Sequence, residues 1–355
     1  MAVDDSHEYI FFTDAQSAPV LPEGARIVAA STQRAATEAA SAAGRRSLGD
    51  VWAMTREVLR HDLDVFFFPA VYSYFPVLNR TKIVVTVHDV IADHRPEATF
   101  PNRRLMYFWK LKQHVALHQA DLVLTVSEYS RQSILRFFRL PPARVRVTTE
   151  GAGAVFRRIE PNGHAAAVLQ RYGLTPSDRF LLYVGGISPH KNLGRLIEAL
   201  PPDIHLVLVG DYERDAFHSD YPHLRELIRK RDLSERVRFA GYVPDDDLVY
   251  FYNAATALAF PSLEEGFGLP AVEAMACGTP VVASNRGSLP EVVGNAGRFF
   301  DPEDPRDMRK ALADVLESET LRAEMRARGL ERSLRFTWEA SARTTLSLFE
   351  ELHAR

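Results

Sequence analysis

The chain has 355 residues, of which 46% are hydrophobic and 25% are charged, and its formal net charge at pH 7 is −3. These values are typical of a globular protein long enough for two domains, and the small net charge argues against a general nucleic-acid binder. The single cysteine, Cys277, excludes an intramolecular disulfide and a cysteine-based metal cluster, so we expect a reducing, cytoplasmic setting and a packing role for this side chain.

Short apolar runs alternate with longer segments of helical period along almost the whole chain, as in parallel sheets covered by helices. In the first half the pattern predicts strands at 9–12, 26–30, 65–69, 82–87, 122–126 and 145–149, and helices near 48–61, 101–119 and 128–138. In the second half it predicts strands at 180–184, 204–209, 237–241, 257–260, 280–284 and 297–300, and helices near 191–200, 222–231, 245–253, 270–277 and 305–330. The alanine-rich stretch 29–43 is predicted to be a loop or a loosely specified helix.

The polar segment 156–168 contains a Pro-Asn-Gly turn signal and is therefore predicted to link two doubly wound α/β domains. In such folds ligands bind beyond the carboxyl ends of the strands. With two domains facing each other, the expected site is the cleft between them.

Two features bear on membrane contact. No apolar run approaches the roughly 18 residues that a spanning helix needs, and the amino terminus lacks the pattern of a secretory signal. The region 95–146, however, holds ten Lys or Arg residues against three acidic ones, and within it 103–112 mixes basic and aromatic side chains. This region is either a half-buried helix with basic solvent positions or a surface for a membrane or an anionic acceptor.

Two polar residues directly follow predicted strands of the first half. His88 comes after strand 82–87 and faces the predicted cleft, where it could donate to a sugar hydroxyl or a phosphate oxygen, although a lone histidine is often structural. Ser127 precedes helix 128–138, which favours an N-cap role over a catalytic one.

The segment 183–200 predicts a buried strand that ends in Gly185 and Gly186, followed by a turn and a helix. Lys191 at the helix start could hold a diphosphate, because a positive charge there stabilises phosphate oxygens as charge builds on a leaving group. His190 could add a second donor. The alternatives are a solvated lysine and an ordinary turn histidine.

The turn at 241–243 lies between a predicted strand and a helix that starts near Pro244. Main-chain groups of Tyr242 and Val243 could pair with a flat base, with the Tyr242 ring beside it. Such turns occur in many folds, so contact with a base is only suggested.

The most informative segment is 261–282, PSLEEGFGLPAVEAMACGTPVV, in which Glu265 and Glu273 flank a glycine-rich turn that leads into a helix. Glycine lets a ligand approach the main chain closely, and a helix start offers unpaired N–H groups to an anion. Pro270 suits the first helical position and Gly278 a left-handed cap. We therefore predict a bound phosphate over four residues, Gly266, Phe267, Gly268 and Leu269. The two carboxylates would accept hydrogen bonds from sugar hydroxyls; the alternative is an exposed acidic loop before an ordinary helix.

Taken together, these segments resemble the retaining glycosyltransferases of family 4, which have the GT-B architecture. The most specific element is EGFGLPAVE, and GGISPHKN, VHDV, LTVSEYSR, FAGYV and FTWEASARTTLSLFEEL support the resemblance, which extends from about residue 60 to the end. It implies an α/β fold of two doubly wound Rossmann-like domains facing a central cleft. The acceptor-side domain would span 1–160 and the donor-binding domain 161–336, with a last helix, in 337–355, crossing back onto the first domain.

The resemblance also implies roles for individual residues. Glu265 would contact the donor sugar and Glu273 the ribose, while the main chain of 266–269 would meet the sugar and the diphosphate. Lys191 would bind the diphosphate, and His88 would lie near the transferred sugar. Nothing resembles aspartate ligands for a donor-bound metal, so we expect no metal and no tightly bound cofactor, only a nucleoside-diphosphate sugar as co-substrate.

Three departures from the family pattern limit this transfer. Gly186 and His190 stand where many members carry an arginine that helps the lysine. Glu150 and Gly151 replace an asparagine-glycine pair after the last strand of the first domain. The chain also starts almost at YIFFTD, so either the acceptor is held differently or a first β-α unit is missing from the recorded start.

The sequence thus predicts a retaining hexosyltransferase that uses an acceptor hydroxyl in the synthesis of a glycan, a glycolipid or a glycosylated metabolite. By resemblance only, the Lys191-Asn192 form of the phosphate motif favours GDP-mannose as the donor. The alternatives are a sugar-nucleotide epimerase or hydrolase of the same architecture and a catalytically silent nucleotide-sugar-binding subunit. The expected location is cytoplasmic, with peripheral contact at the inner membrane surface through region 95–146 left open.

Overall fold

The computed structural model describes residues 6–14, 25–32, 47–100, 102–160, 163–175, 177–212 and 219–354. Parallel strands form three sheets in these ranges. We call the described residues up to 160 the first lobe and residues 163–336 the second lobe.

The first lobe contains, in chain order, β1 (Ile10–Asp14), β2 (Arg26–Ala30), α1 (Leu48–Val58), β3 (Val65–Phe68), β4 (Lys82–Thr86), α2 (Ile91–His94), α3 (Pro96–Thr99), α4 (Arg103–Gln119), β5 (Leu122–Thr125), α5 (Glu128–Phe138) and β6 (Val145–Val147). One sheet has the order β3-β4-β5-β6, and β1 pairs with β2 in a separate two-stranded sheet. All four residues of β5, LVLT, are buried, as expected for a parallel sheet that is covered on both faces.

The second lobe contains α6 (Gly163–Arg171), β7 (Phe180–Val184), α7 (Leu193–Ala199), β8 (His205–Val209), α8 (Tyr221–Lys230), β9 (Val237–Gly241), α9 (Asp245–Ala254), β10 (Ala257–Phe260), α10 (Leu269–Ala276), β11 (Val281–Ser284), α11 (Leu289–Val293), β12 (Gly297–Phe300), α12 (Pro305–Glu317) and α13 (Glu319–Ser333). Its six strands follow the order β12-β11-β10-β7-β8-β9.

The direction in which successive strands are added to this six-stranded sheet reverses between β7 and β10. From β7 it proceeds to β8 and β9 on one side, and it then returns to β10, β11 and β12 on the other. The two central strands are direct neighbours, with Leu182 opposite Leu258. Ligands of doubly wound folds bind at such a reversal, beyond the carboxyl ends of the strands. The loops after β7 and β10 are therefore the place to examine for a site.

The last helix, α14 (Trp338–His353), packs on the first lobe, as the sequence predicted. Its Leu348 and Leu352 are buried against Val84, Leu122 and Leu124 of the four-stranded sheet. Gly151 permits the crossing, because a Cβ atom there would lie 2.5 Å from the carbonyl carbon of Thr337. Burial of two leucine side chains is worth about 3–6 kcal/mol, which is enough to fix the helix on this face.

Two sequence predictions about local structure are wrong. The predicted helix 305–330 is two helices, because Ser318 interrupts it and its side chain caps α13 by accepting from the Leu321 N–H at 3.1 Å. The predicted linker 156–168 is shorter, because α6 already begins at Gly163. Gly163 stands at the start of this helix, and the alanines that follow it are good helix formers.

Other predictions fall partly outside the described residues. Positions 33–43 of the alanine-rich stretch lie there, and so does Pro161, where the second domain was predicted to begin, so that boundary stays a prediction. The cap prediction is confirmed: Gly278 has a φ of 75° after α10, and the neighbouring N–H of Thr279 donates to the carbonyl of Ala274 at 2.8 Å. Among the helices of the described ranges, none is long and apolar enough to cross a membrane.

Candidate active site

A lysine and a glutamate meet where the loops after β7 and β10 come together. The Lys191 Nζ donates to Glu265 Oε1 at 2.7 Å, and the two side chains are only 18% and 10% exposed. The Lys191 position differs from the prediction, because this residue ends a short 3₁₀ turn and α7 starts only at Leu193. Asn192 between them has a left-handed φ of 60°, and its amide donates to the carbonyl of Pro261 at 3.1 Å. This contact ties the two loops together and fixes the lysine beside the glutamate.

Within the loop between β10 and α10, the glycine turn lies directly against the first lobe. A Cβ on Gly266 would lie 2.9 Å from Asp89 Cβ and 3.0 Å from the carbonyl oxygen of His88. Gly268 has a φ of 98° and is the N-cap of α10. Pro270 is therefore at the second helical position instead of the predicted first, where its missing N–H is equally harmless. The turn presents the start of an eight-residue helix to the cleft.

The hydrophobic members of the turn have packing roles for their side chains. Phe267 is buried and meets Phe336 edge to face at 5.6 Å between ring centroids, and Leu269 packs against the core of the second lobe. The buried Phe267 side chain thus leaves only its main-chain groups available to a ligand, whereas the Leu269 side chain is half-buried.

Glu273 lies one turn inside α10 and is largely buried. Its Oε2 accepts from the Tyr252 hydroxyl at 2.7 Å. Burial raises the pKa of Glu273 to about 7, against the lowering effect of that hydrogen bond. Cys277, one turn further on, is also buried, and burial raises the pKa of its thiol to about 12, which confirms a packing residue and excludes a ready nucleophile.

The first lobe contributes His88, Asp89 and Glu150 to the cleft. The His88 Nε2 lies 3.9 Å from Glu150 Oε1, and burial lowers the pKa of His88, so the imidazole is neutral at pH 7. Burial raises the pKa of Asp89 to about 6. Burial, followed by the charges of Asp89, Glu273 and Glu265, raises the pKa of Glu150 to about 7. Four carboxyl groups thus influence one another across the cleft, an arrangement that suits a ligand rich in hydroxyl groups.

Sequence reasoning missed Asp89 as a site residue and noted Glu150 only as a departure. Both follow strands of the first lobe, and Asp89 stands directly beside the predicted His88. The sequence signal for these two site residues was therefore an acidic residue just after the carboxyl end of β4 and of β6. Within the described ranges, no group of three or more His, Cys, Asp or Glu side chains could hold a metal ion, and metal-independent catalysis stays a prediction.

The Gly185-Gly186 pair lies beside the reversal point, and local contacts hold it. The Tyr183 hydroxyl donates to the Gly186 carbonyl at 2.6 Å, and a Cβ on Gly210 would lie 2.1 Å from the Gly185 carbonyl oxygen. Only glycine fits at position 210, because the Gly185 backbone lies too close for a Cβ atom. A ligand-binding role for Gly185 and Gly186 stays a prediction.

The surroundings of His190 disfavour its charged form. Burial first, and then the charge of Lys191, lower the pKa of His190 to about 4. Its Nδ1 lies 3.1 Å from the hydroxyl oxygen of Ser188. The ring is therefore neutral at pH 7, and its role as a second donor stays a prediction.

The turn predicted to meet a base lies two strands away from β7, at the end of β9. Gly241 has a φ of 76°, the Val243 side chain is buried, and the Tyr242 side chain is 72% exposed. The Gly241 carbonyl accepts from the Gly210 N–H at 3.0 Å, which places this turn next to the Gly185 region. Its contact with a nucleotide stays a prediction.

A direct link between the lobes runs from the start of α5 to the glycine turn. Ser127 caps α5, as predicted, by accepting from the Ser130 N–H at 3.0 Å. Its hydroxyl also donates to the Gly266 carbonyl at 2.5 Å, and the Ser130 hydroxyl donates to the same oxygen at 3.0 Å. No local sequence pattern connects these serines with the second lobe.

Comparisons with known proteins agree with the motif resemblance. The family model for glycosyl transferases group 1 matches residues 168–332, and the model for glycosyltransferase family 4 matches residues 3–152. The O-antigen chain mannosyltransferase B of Escherichia coli is 36% identical over 280 residues, which cover 76% of this chain and 71% of that protein. The chain spans 34% of the length of a longer relative, the Escherichia coli mannosyltransferase WbdA.

Solved structures share the whole fold. Sucrose-phosphate synthase from Thermosynechococcus elongatus has a TM-score of 0.74 at 21% identity, covering 98% of this chain and 89% of that one. Anabaena HepE, solved in complex with UDP-glucose, has a TM-score of 0.70 at 20% identity, covering 93% and 86% of the two chains. The predicted architecture of two Rossmann-like domains is thereby confirmed.

Proposed function

We propose that this chain moves a hexosyl group from a nucleoside-diphosphate sugar to an acceptor hydroxyl with retention of the anomeric configuration. The chain belongs to the family of glycosyl transferases group 1 and glycosyltransferase family 4. Its similarity to an O-antigen mannosyltransferase supports a role in glycan synthesis. The similarity to a fold that holds UDP-glucose supports a nucleotide-sugar donor.

The observation that carries the proposal is the Lys191–Glu265 pair beside the start of α10. The Lys191 Nζ donates one of its three protons to Glu265 Oε1 at 2.7 Å between the heavy atoms, and the other two protons suit the oxygens of a diphosphate. The amides at the helix start stabilise the same negative charge as it grows on the leaving group. This arrangement supports diphosphate departure driven by fixed charges and dipoles.

In the proposed reaction, the bond between the anomeric carbon and the diphosphate oxygen breaks as the bond to the acceptor oxygen forms on the same face. The acceptor proton passes to the departing phosphate oxygen, so no residue has to act as a base. Glu265 orients the transferred sugar, Glu273 accepts from the ribose, and neutral His88 contacts a sugar hydroxyl. No step requires a metal.

A donor screen tests the assignment. We propose GDP-mannose as the donor and expect the largest thermal shift with GDP among GDP, UDP, ADP and dTDP. Turnover of GDP-mannose with a panel of mannose-terminated acceptors, in EDTA, should yield an α-linked product. A product of inverted configuration, or activity that EDTA abolishes, would refute the proposed mechanism.

The same assay separates the alternatives. An epimerase or hydrolase converts the donor with no acceptor present, whereas a transferase needs both. Binding of GDP-mannose without turnover across the acceptor panel would indicate a silent nucleotide-sugar-binding subunit.

We further propose that the enzyme works at the cytoplasmic face of a membrane and contacts its anionic surface through α4, within the basic region 95–146. Helix α4 is half-buried through Trp109 and three neighbours, but its outer side leaves Tyr107 63%, Phe108 51% and Leu111 62% exposed. The helix has basic but no acidic residues, so charge attraction and apolar insertion act together.

Vesicle sedimentation tests this contact. The full chain should bind vesicles that contain phosphatidylglycerol and not vesicles of phosphatidylcholine alone. The substitution Leu111→Glu should reduce binding at least fivefold, whereas Leu334→Glu, at a position that is 76% exposed on another surface, should leave it unchanged. Equal binding of the wild type to both vesicle types would exclude the charged contact.

A further inference from the structure

Successive residues of the loop between β10 and α10 contact the first lobe and the second lobe in turn. The Glu264 Oε1 accepts from the Tyr129 hydroxyl at 3.1 Å and lies 3.0 Å from His94 Nδ1, both of the first lobe. The next residue, Glu265, turns its side chain to Lys191 of the second lobe. The Gly266 carbonyl then faces the first lobe again, at Ser127 and Ser130. Glu265 therefore lies between two anchors that belong to the opposite lobe.

The carbonyls of this loop show the same alternation. The Glu265 and Phe267 carbonyls both accept from the Ser288 hydroxyl of the second lobe, at 3.1 and 2.7 Å. The Gly266 carbonyl accepts from the two serine hydroxyls of α5. Because a peptide unit is planar, fixing the Gly266 carbonyl also fixes the Phe267 N–H, which points the opposite way. One of the helix-start amides that would face a diphosphate is thus oriented by the first lobe.

A second contact holds α5 in this place. The carboxylate of Glu291, in α11, accepts from the backbone N–H groups of Glu128 and Tyr129 at 2.9 and 3.1 Å. These are the first two N–H groups of α5, where a negative charge is favourable. The start of α5 therefore touches the second lobe at Glu264, Gly266 and Glu291, and α11 carries the last of these.

We propose that Ser127 and Ser130 are positioning residues of the transfer reaction: they orient the Gly266 peptide, and through it Glu265, when the two lobes meet. Ser127 combines this role with its cap. This inference rests on the proposed function for its catalytic consequence, but not for its structural one. The binding groups Lys191 and Glu273 belong to the second lobe alone, so most of the nucleotide affinity is kept without the serines. The rate of transfer depends on them more strongly, because the amide that they orient meets the charge that grows on the leaving group.

The substitution Ser130→Ala tests the inference without removing the cap, because the Ser130 N–H still donates to Ser127. We expect faster hydrogen exchange in peptides that cover residues 264–268 and a fall in kcat of about tenfold, which corresponds to one lost hydrogen bond. The Kd for the nucleoside diphosphate, measured by calorimetry, should stay within twofold. Ser130→Thr keeps a hydroxyl and should restore most of the rate.

A matched control is Thr55→Val, which removes another buried hydroxyl that donates to a distant carbonyl, that of Pro76 at 2.8 Å, within the first lobe. It should change neither the exchange of 264–268 nor kcat. Glu291→Ala, at an exposed position, is a second variant that should raise the exchange of the same peptides by a smaller factor.

The outcomes separate this inference from the proposed function. Unchanged exchange of 264–268 in both Ser130→Ala and Glu291→Ala overturns the positioning role, whatever the enzyme transfers. A fall in kcat that is matched by an equal loss of nucleotide affinity overturns it as well. If no donor is turned over by the wild type, the proposed function fails, while the exchange result still decides whether the serines fix the loop.

Discussion

In the second lobe, the polar groups of the cleft wall are paired with one another: Lys191 with Glu265, and Tyr252 with Glu273. In the first lobe, the nearest pair is His88 and Glu150, whose closest atoms are 3.9 Å apart. That distance is too long for a hydrogen bond. One wall is thus built from short contacts and the other from groups that influence one another mainly through charge.

This difference has a chemical consequence. A wall of paired groups has a fixed geometry, as a diphosphate site requires if it is not to reorganise during the reaction. The facing wall carries two carboxyl groups, Asp89 and Glu150, whose pKa values are raised to about 6 and about 7. Its charge therefore changes within the physiological pH range. We expect substitutions in the second-lobe wall to act by removing short contacts and those in the first-lobe wall to act mainly through pH.

The largest effect is expected at Lys191. The substitution Lys191→Ala removes the only cation that Glu265 contacts at hydrogen-bond distance in the described structure, and it should lower kcat about 10²- to 10³-fold, as loss of a charge at a leaving group does. Initial rates at saturating donor measure it. Lys230→Ala, an exposed lysine on α8, is the control and should be fully active. A Lys191→Ala enzyme within twofold of the wild-type rate would remove this lysine from the mechanism.

Next in size is the loss of nucleotide affinity at Glu273. At pH 8, above its pKa of about 7, Glu273 is a charged acceptor for ribose hydroxyls. Such hydrogen bonds are worth about 1.5–3 kcal/mol, so at this pH Glu273→Ala should raise Kd roughly 10- to 100-fold. Calorimetric titration with the nucleoside diphosphate measures this change. Glu317→Ala, an exposed glutamate at the end of α12, is the control. Unchanged affinity in Glu273→Ala would show that the ribose binds elsewhere.

A smaller effect is expected where the two walls meet. Gly266→Ala adds a Cβ that would lie 2.9 Å from Asp89 Cβ, a distance that forces the loop and the His88–Asp89 backbone apart. We expect kcat to fall about tenfold, because a displacement of a few tenths of an ångström misplaces the groups on either side. Gly163→Ala is the matched control, since a Cβ there meets nothing within 4 Å. Equal activities of the two variants would show that the close approach of Gly266 to Asp89 does not affect the reaction.

The contrast between the two walls also shows how far the sequence could lead. The second-lobe wall is built mostly by contiguous segments, so Gly268 with its left-handed φ, Glu265 and Glu273 could all be identified from spacing alone. Lys191 was also identified, although its helix starts two residues later than predicted. These features follow from local rules of turns and helix ends.

The first-lobe wall depends on contacts between distant parts of the chain, which no local pattern contains. Ser127 was correctly predicted as a cap, but its second bond reaches Gly266, which is 139 positions away. The pKa of Glu150 depends on burial and on carboxylates from both lobes. For the same reason, the fold class and most strands were predictable, whereas the break at Ser318 and the separate β1-β2 sheet were not.

The smallest expected effect, at Glu150, tests the pH-dependent wall directly. Burial raises the pKa of this carboxyl from 4.5 in the unfolded chain to about 7 in the fold, so the folded state holds a proton that the unfolded state has already released. The wild type should therefore lose stability as pH rises from about 4.5 through 7, where Glu150 ionises facing Asp89, Glu265 and Glu273.

Glu150→Gln keeps the shape and removes the ionisation. Its melting temperature should equal that of the wild type at pH 5 and exceed it by about 2–4 °C at pH 8, which corresponds to roughly 1 kcal/mol after screening by solvent at this partly exposed position. Glu317→Gln should show no such crossover, because that side chain is exposed. If the difference between Glu150→Gln and the wild type were the same at both pH values, the group would already be ionised at pH 5. The charge of Glu150 in the first-lobe wall would then not change between pH 5 and pH 8.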